Sequence, residues 1–140
     1  MDNATVPAPE FPELAEFVGD YSNLADARLG AEVVDVSDEF FAAASRMLDP
    51  SPPVWKKNTF DDHGGWMDGW ESRRKREAGY DWAIVKLANP GIAYKVDIDT
   101  TFFTGNFAPA IMLEGVLSDA QVPPPDAPWL PAIERQIASL

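Results

Sequence analysis

The residues best suited to chemistry crowd into one short stretch, Gly64 to Arg76, which reads GGWMDGWESRRKR. Trp66 and Trp70 stand four residues apart, Asp68 and Glu71 flank Trp70, and Arg73, Arg74, Lys75 and Arg76 follow in an unbroken basic run. A carboxylate beside a large aromatic can have its pKa raised and serve as acid or base. Asp68 can equally well hold its loop by accepting from backbone amides. One or two of the arginines turned inward would suit a small carboxylate, because a planar guanidinium pairs with it through two hydrogen bonds. Facing water, the same run is a solvated surface, partly neutralised by Glu71, Glu77 and Asp81. Trp66 and Trp70 read first as core anchors and second as walls of a ligand site.

His63, just upstream in Asp61-Asp62-His63, is the single histidine. An imidazole can move a proton as general acid or base, and it can also be a plain surface-loop residue. A metal site needs three or four ligands, and no second histidine or any cysteine is present to join His63. No metal and no cofactor is therefore expected. A second polar cluster lies downstream, where Asp97 and Asp99 lead into Thr100-Thr101-Phe102-Phe103-Thr104-Gly105-Asn106. Thr104 and Asn106 sit in a glycine-bearing turn, a normal place for ligand contacts and equally for a turn alone. No nucleophile elbow, phosphate loop or dinucleotide fingerprint occurs.

Several elements must position these residues. Residues 1–22 form a proline-bearing lead-in, 23–121 a β-rich repeat and 122–140 a proline-rich end. Ala31 to Val36 is β-branched and predicts a strand. Ser37-Asp38 would cap a short helix with Phe40, Phe41, Ala44, Met47 and Leu48 on its apolar side, stopping near Asp49 before Pro50, Pro52 and Pro53. Residues 55–79 lack periodicity and read as a long ordered loop. Strands are predicted over Trp82 to Leu87, over the strictly alternating Ile92 to Asp99, and over Ile111 to Leu117, with turns at Asn89-Pro90-Gly91 and Thr104-Gly105-Asn106. Ile133 to Leu140 reads as a short helix or as the start of a further element. The pattern is that of an all-β chain, an antiparallel β-sandwich with few strands for a complete one.

Composition narrows the class. With 140 residues, 46% of them hydrophobic, the chain can build one real core. A formal net charge of -12 excludes the basic footprint that nucleic acid or an anionic membrane surface would require. The absence of cysteine removes disulfides and thiolate chemistry and fits a reducing cytoplasm. The opening residues show no signal-peptide pattern, and no apolar run approaches a membrane span. A soluble cytoplasmic protein is the expectation.

The segments GGWMDGWESRRKR, DWAIVKL and VDIDTTFFTGNFAPAIMLEG, with NLADARLGAEVVDVSDEFFA upstream, resemble the allantoicase family from about Asn23 to Gly115. The resemblance implies hydrolysis of allantoate to ureidoglycolate and urea in purine breakdown, on a jelly-roll β-sandwich like galactose-binding or discoidin modules. The matching motif positions include Trp66, Met67, Asp68, Gly69, Trp70, Glu71, Arg73 and Arg74, and then Asp99, Thr100, Phe102, Phe103, Gly105 and Asn106. Two departures stand out: Gly65 occupies a place where the family often has a basic residue, and the chain holds one sandwich repeat where members usually hold two. For such a substrate, Arg73 or Arg74 would clamp the carboxylate, while Thr104 and Asn106 would bind a ureido group. Asp68, Glu71 or His63 would carry the proton, and Trp66 and Trp70 would exclude water. A short sandwich also leads to the expectation of a homo-oligomer. The rival expectation, from another class, is a non-catalytic sandwich module that binds a ligand or a partner subunit.

Overall fold

A computed structural model describes residues 4–7 and 21–136. The chain divides into two compact units, Met1–Phe102 and Phe103–Leu140. Among the described residues there are eight strands and two short 3-10 helices, and no α-helix, so the all-β expectation holds. The strands pair two by two, which fits a sandwich with few strands.

In the first unit, β1 (Thr5–Pro7) runs antiparallel to β3 (Val54–Lys56). Strand β2 (Glu32–Val36) pairs with β6 (Ala83–Lys86), and Val34 is bulged out between the Val33–Val85 and Asp35–Ile84 pairs. Both β2 and β6 fall inside the segments their β-branched content predicts. Within the stretch expected to be loop, β3 is joined by β4 (Phe60–Asp61) and β5 (Gly64–Gly65), a tight hairpin whose two linking residues are Asp62 and His63. The aperiodic sequence hid this hairpin because two-residue strands carry no alternation to detect. A 3-10 turn, Ala27–Leu29, is capped by Asp26, whose side chain accepts from the Arg28 N–H, and is closed by Gly30 at φ +110°.

The helix expected after Ser37-Asp38 does not start there. The Phe41 and Ala42 amides both donate to the Glu71 carbonyl, at 3.1 and 3.0 Å, and a donor spent on another segment cannot build a helical turn. Helical geometry begins only at the 3-10 helix Ala44–Leu48, where the Glu39 carboxylate accepts from the Ala44 N–H at 3.0 Å. It ends at Asp49, as the prolines require. Ala31, Ala42, Ala44 and Leu48 form the small buried core around it.

The alternating segment 92–99 is not a strand. It runs from Gly91 to Thr100 without turn or bend, but forms no ladder among the described residues. Alternation specifies two faces; only a neighbouring strand supplies the hydrogen bonds that make it part of a sheet. The first unit ends at Phe102, whose φ of +70° is unusual for a bulky side chain.

In the second unit, β7 (Ala110–Gly115) pairs antiparallel with β8 (Leu130–Gln136). Of the two readings of the stretch from Ile133, the short helix is corrected: it is extended through Gln136, because its backbone groups complete the β7 ladder. Residues 137–140 lie outside the described residues. Pro131, which lacks an N–H, stands beside the register shift, where a missing ladder donor is tolerated.

Candidate functional site

Asp38 organises the first unit's polar centre. Its Oδ1 accepts from the Phe40 and Arg73 amides at 3.0 and 2.8 Å, its Oδ2 faces the Arg73 Nε at 3.4 Å, and its carbonyl accepts the Trp70 indole N–H at 2.7 Å. The Phe40 and Arg73 amides hold this carboxyl below the usual carboxylate range. The Glu71 amide returns a bond to the Ala42 carbonyl, so residues 38–42 and 70–73 are stitched side by side.

The stitching places the Phe40 ring between two groups selected from the sequence. The His63 imidazole stacks on it, with centroids 4.0 Å apart and planes 11° from parallel. The Arg73 guanidinium also lies 4.0 Å from the Phe40 centroid. Two planar groups at that distance cannot share one face, so the imidazole and the guanidinium take opposite faces. Phe41 closes one edge, its ring 5.0 Å away and nearly perpendicular. Beside this stack opens a cleft of about 290 Å³ lined by Glu39, Phe40, Phe41, Arg46, Asp61 and His63, among others.

The hairpin that carries His63 is fixed from beneath. Arg46 grips Asp61 through two hydrogen bonds, 2.6 and 2.7 Å, and donates a third to the Met67 carbonyl at 3.0 Å. That guanidinium holds the Asp61 carboxyl below the ordinary range. Gly64 can approach Phe41 because it lacks a side chain: a Cβ there would stand 3.3 Å from the ring. Two cations approach Trp66, Lys56 Nζ at 4.3 Å and the Arg46 guanidinium at 5.5 Å from its ring.

The other sequence-selected residues have more structural surroundings. Asp68 accepts from the Val54 amide at 2.8 Å, the loop-holding arrangement. Glu71 contributes the backbone bridge to Phe41 and Ala42 described above. Asp68, Glu71 and Arg73 all lie outside the lining of the cleft beside His63. The basic run divides: Lys75 pairs with Asp81 at 3.3 Å, while Arg74 is exposed and has no ion pair among the described residues. Asp81 also accepts from the Ser37 and Ser72 hydroxyls, at 2.9 and 3.0 Å, which anchors the run's end to the start of β6. Thr104 and Asn106 belong to the second unit, in the turn 104–106, and both are exposed. Among the described residues, no three of His, Asp and Glu group as metal ligands would, and no helix is long and apolar enough to cross a membrane.

Sequence reasoning selected His63 and Arg73 but passed over Asp38, Phe40 and Arg46. Phe40 was assigned to the apolar side of a helix, and an aromatic serving as a platform has the same sequence signature. Arg46 and Asp61 are 15 positions apart, and nothing local marks them as partners.

Comparison with known proteins bears on what this arrangement serves. The profile of the allantoicase repeat matches residues 22–138. A curated protein named probable allantoicase 2, from Burkholderia mallei, is 55% identical over 118 residues, covering 84% of this chain and 35% of that protein. A probable allantoicase from Acinetobacter baumannii is 59% identical over 111 residues, covering 79% and 33%. The crystal structure of allantoicase from Saccharomyces cerevisiae matches with a TM-score of 0.66 at 28% identity, over 96% of this chain and 42% of that one. The chain thus spans about a third of the length of the curated relatives it matches.

Proposed function

The chain belongs to the allantoicase family, and on that premise we propose that it serves the hydrolysis of allantoate to ureidoglycolate and urea in allantoin and purine breakdown. Allantoate carries one carboxylate and two ureido groups on a single carbon. The reaction breaks one C–N bond at that carbon and forms a C–O bond from water. One proton leaves the water and one reaches the departing urea nitrogen. The site therefore needs a fixed cation for the carboxylate and a group that can exchange protons.

The observation that carries this reading is the stack on Phe40. It holds the His63 imidazole, which lines an open cleft, on one face of the ring and the Arg73 guanidinium, outside that lining, on the other. Arg73 is the clamp in this proposal, with Arg74 as the alternative cation. His63 is the proton carrier, and Asp68 and Glu71 are the carboxylates that would replace it. Trp66 and Trp70 stiffen the surrounding loop and exclude water from it. We place the protein in the cytoplasm, on its cysteine-free composition, and as a self-associating chain.

The test is urea release from allantoate by the full chain. Arg73→Ala should raise KM by about 10- to 100-fold, the worth of one hydrogen-bonded charge contact. His63→Ala should lower kcat by about 100-fold or more, the usual share of one acid–base group. Full activity in both variants would remove both roles.

The second reading, a non-catalytic module that binds a ligand or a partner subunit, is favoured by a different observation. Ile92, Tyr94, Val96 and Ile98 all point large apolar side chains into solvent. A wild-type chain that folds and binds allantoate without releasing urea would favour this module.

A further inference from the structure

Among the residues lining the cleft beside Phe40, the one arginine or lysine is Arg46. A cation in that place can receive an anionic substrate, or it can hold the cleft in shape. Its hydrogen bonds decide between the two. Nη1 donates to Asp61 Oδ2 at 2.6 Å and to the Met67 carbonyl at 3.0 Å, and Nη2 donates to Asp61 Oδ1 at 2.7 Å. The forked edge that would pair with a substrate carboxylate is therefore already closed on one. Both side chains are withdrawn from water, Arg46 to 27% exposure and Asp61 to 23%, so salt screens the pair less than a surface one.

What this grip holds is the turn that carries His63. Asp61 ends β4, Met67 stands just beyond β5, and Asp62 and His63 are the only link between the two strands. One guanidinium thus ties both legs of the hairpin. The hairpin itself consists of two residue pairs, Phe60–Gly65 and Asp61–Gly64, too few to fix a turn unaided. The imidazole it displays nevertheless lies on Phe40 at 4.0 Å and within 11° of parallel. A small slide of the turn would lose that overlap.

We propose that Arg46 is the positioning residue for His63: its fork onto Asp61, with the bond to Met67, sets the hairpin turn so that the imidazole lies flat on Phe40 at the cleft. The inference rests on the reading of His63 as proton carrier and adds the residue that aims it. Arg46 itself touches no substrate.

His63 is the single histidine, so an untagged chain gives one imidazole signal in proton NMR. The test is made at about pH 9, above the ordinary histidine range. Held flat over Phe40, the ring protons should resonate upfield of their position in the urea-unfolded chain, and Phe40→Ala should abolish that displacement. Arg46→Met should remove most of it in a chain that circular dichroism shows to be folded. Asp61→Asn, which keeps the shape but not the charge, should act in the same direction, and the double variant should go little further than Arg46→Met alone. In urea release from allantoate, Arg46→Met should lower kcat about 10- to 100-fold with KM little changed, the mark of a misplaced group.

An upfield displacement that survives both Arg46→Met and Asp61→Asn in folded chains, or none in the wild type, overturns the positioning. So does a raised KM at unchanged kcat in Arg46→Met, which would make Arg46 a substrate clamp. Should Arg46→Met not fold, Asp61→Asn decides by the same signal. A displacement that responds as expected, in a chain that releases no urea even as wild type, overturns the reading of His63 as proton carrier and leaves the hold of Arg46 on it standing.

Discussion

Phe40 shows how one side chain can define a site without taking part in chemistry. Its ring is 37% exposed, a poor score for a core residue, yet both of its faces are occupied. Arg46 acts in the same way on the charged side. It ties Asp61 to Met67 across the base of the hairpin that displays His63. Arg46→Met keeps most of the volume but leaves a half-buried carboxylate without its partner. The expected loss is about 2 kcal/mol, within the range of a charged hydrogen bond and below that of a fully buried ion pair, read as a lower midpoint in urea unfolding. Arg46→Lys should recover less than half of the loss, since one ammonium cannot reproduce the two-pronged grip. Neither residue stood out in the sequence, because both act through partners distant along the chain.

At the scale of elements, legibility followed hydrogen-bond locality. Strands β2, β6 and β7 were visible because β-branched and apolar residues cluster where sheets form. The helix expected at Asp38 was not, because its first amides are claimed by Glu71, 30 residues away. Segment 92–99 failed in the opposite sense: its alternation predicts one face on a core, but residues 91–99 are all exposed, because alternation says nothing about a partner strand. Local signals that need no partner fared well, and the turn at 104–106 is one of them. Gly30 is another such local requirement, and it yields a clean test. An ideal Cβ there meets nothing within 4 Å, but the φ of +110° disfavours any L side chain. Gly30→Ala should therefore destabilise by about 1 kcal/mol through backbone strain alone. The readout is the denaturant midpoint at unchanged slope, because no packing is altered.

For the whole molecule, the net charge of -12 is unevenly placed, and several of its carboxylates are committed to hydrogen bonds. Backbone amides hold Asp38 and Asp49 below the ordinary range, and Arg46 does the same for Asp61. Burial pushes Asp81 up, but its bonds from Ser37, Ser72 and Lys75 outweigh that and leave it lowered. Each group whose folded value lies below its unfolded one contributes stability above the unfolded value, about 3.9 for aspartate. That contribution is lost as pH falls through the folded value. Asp97 has the opposite sign: burial and then Asp99 raise it, so its contribution is present at low pH and lost as pH rises. With five groups lowered, Asp26 through its hydrogen bond from Arg28 among them, against one raised, thermal stability in moderate salt should be level near neutrality and fall on acidification below about pH 4. Asp61→Asn should make that acid decline shallower.

The backbone at Phe102 has one more consequence. Its φ of +70° costs a bulky residue about 1 kcal/mol or more, a cost that glycine would not incur. Glycine or asparagine at this position would relax the main chain at once, so backbone comfort alone favours drift away from phenylalanine. Whatever keeps an aromatic at the last position of the first unit acts through the ring and works against the local conformation.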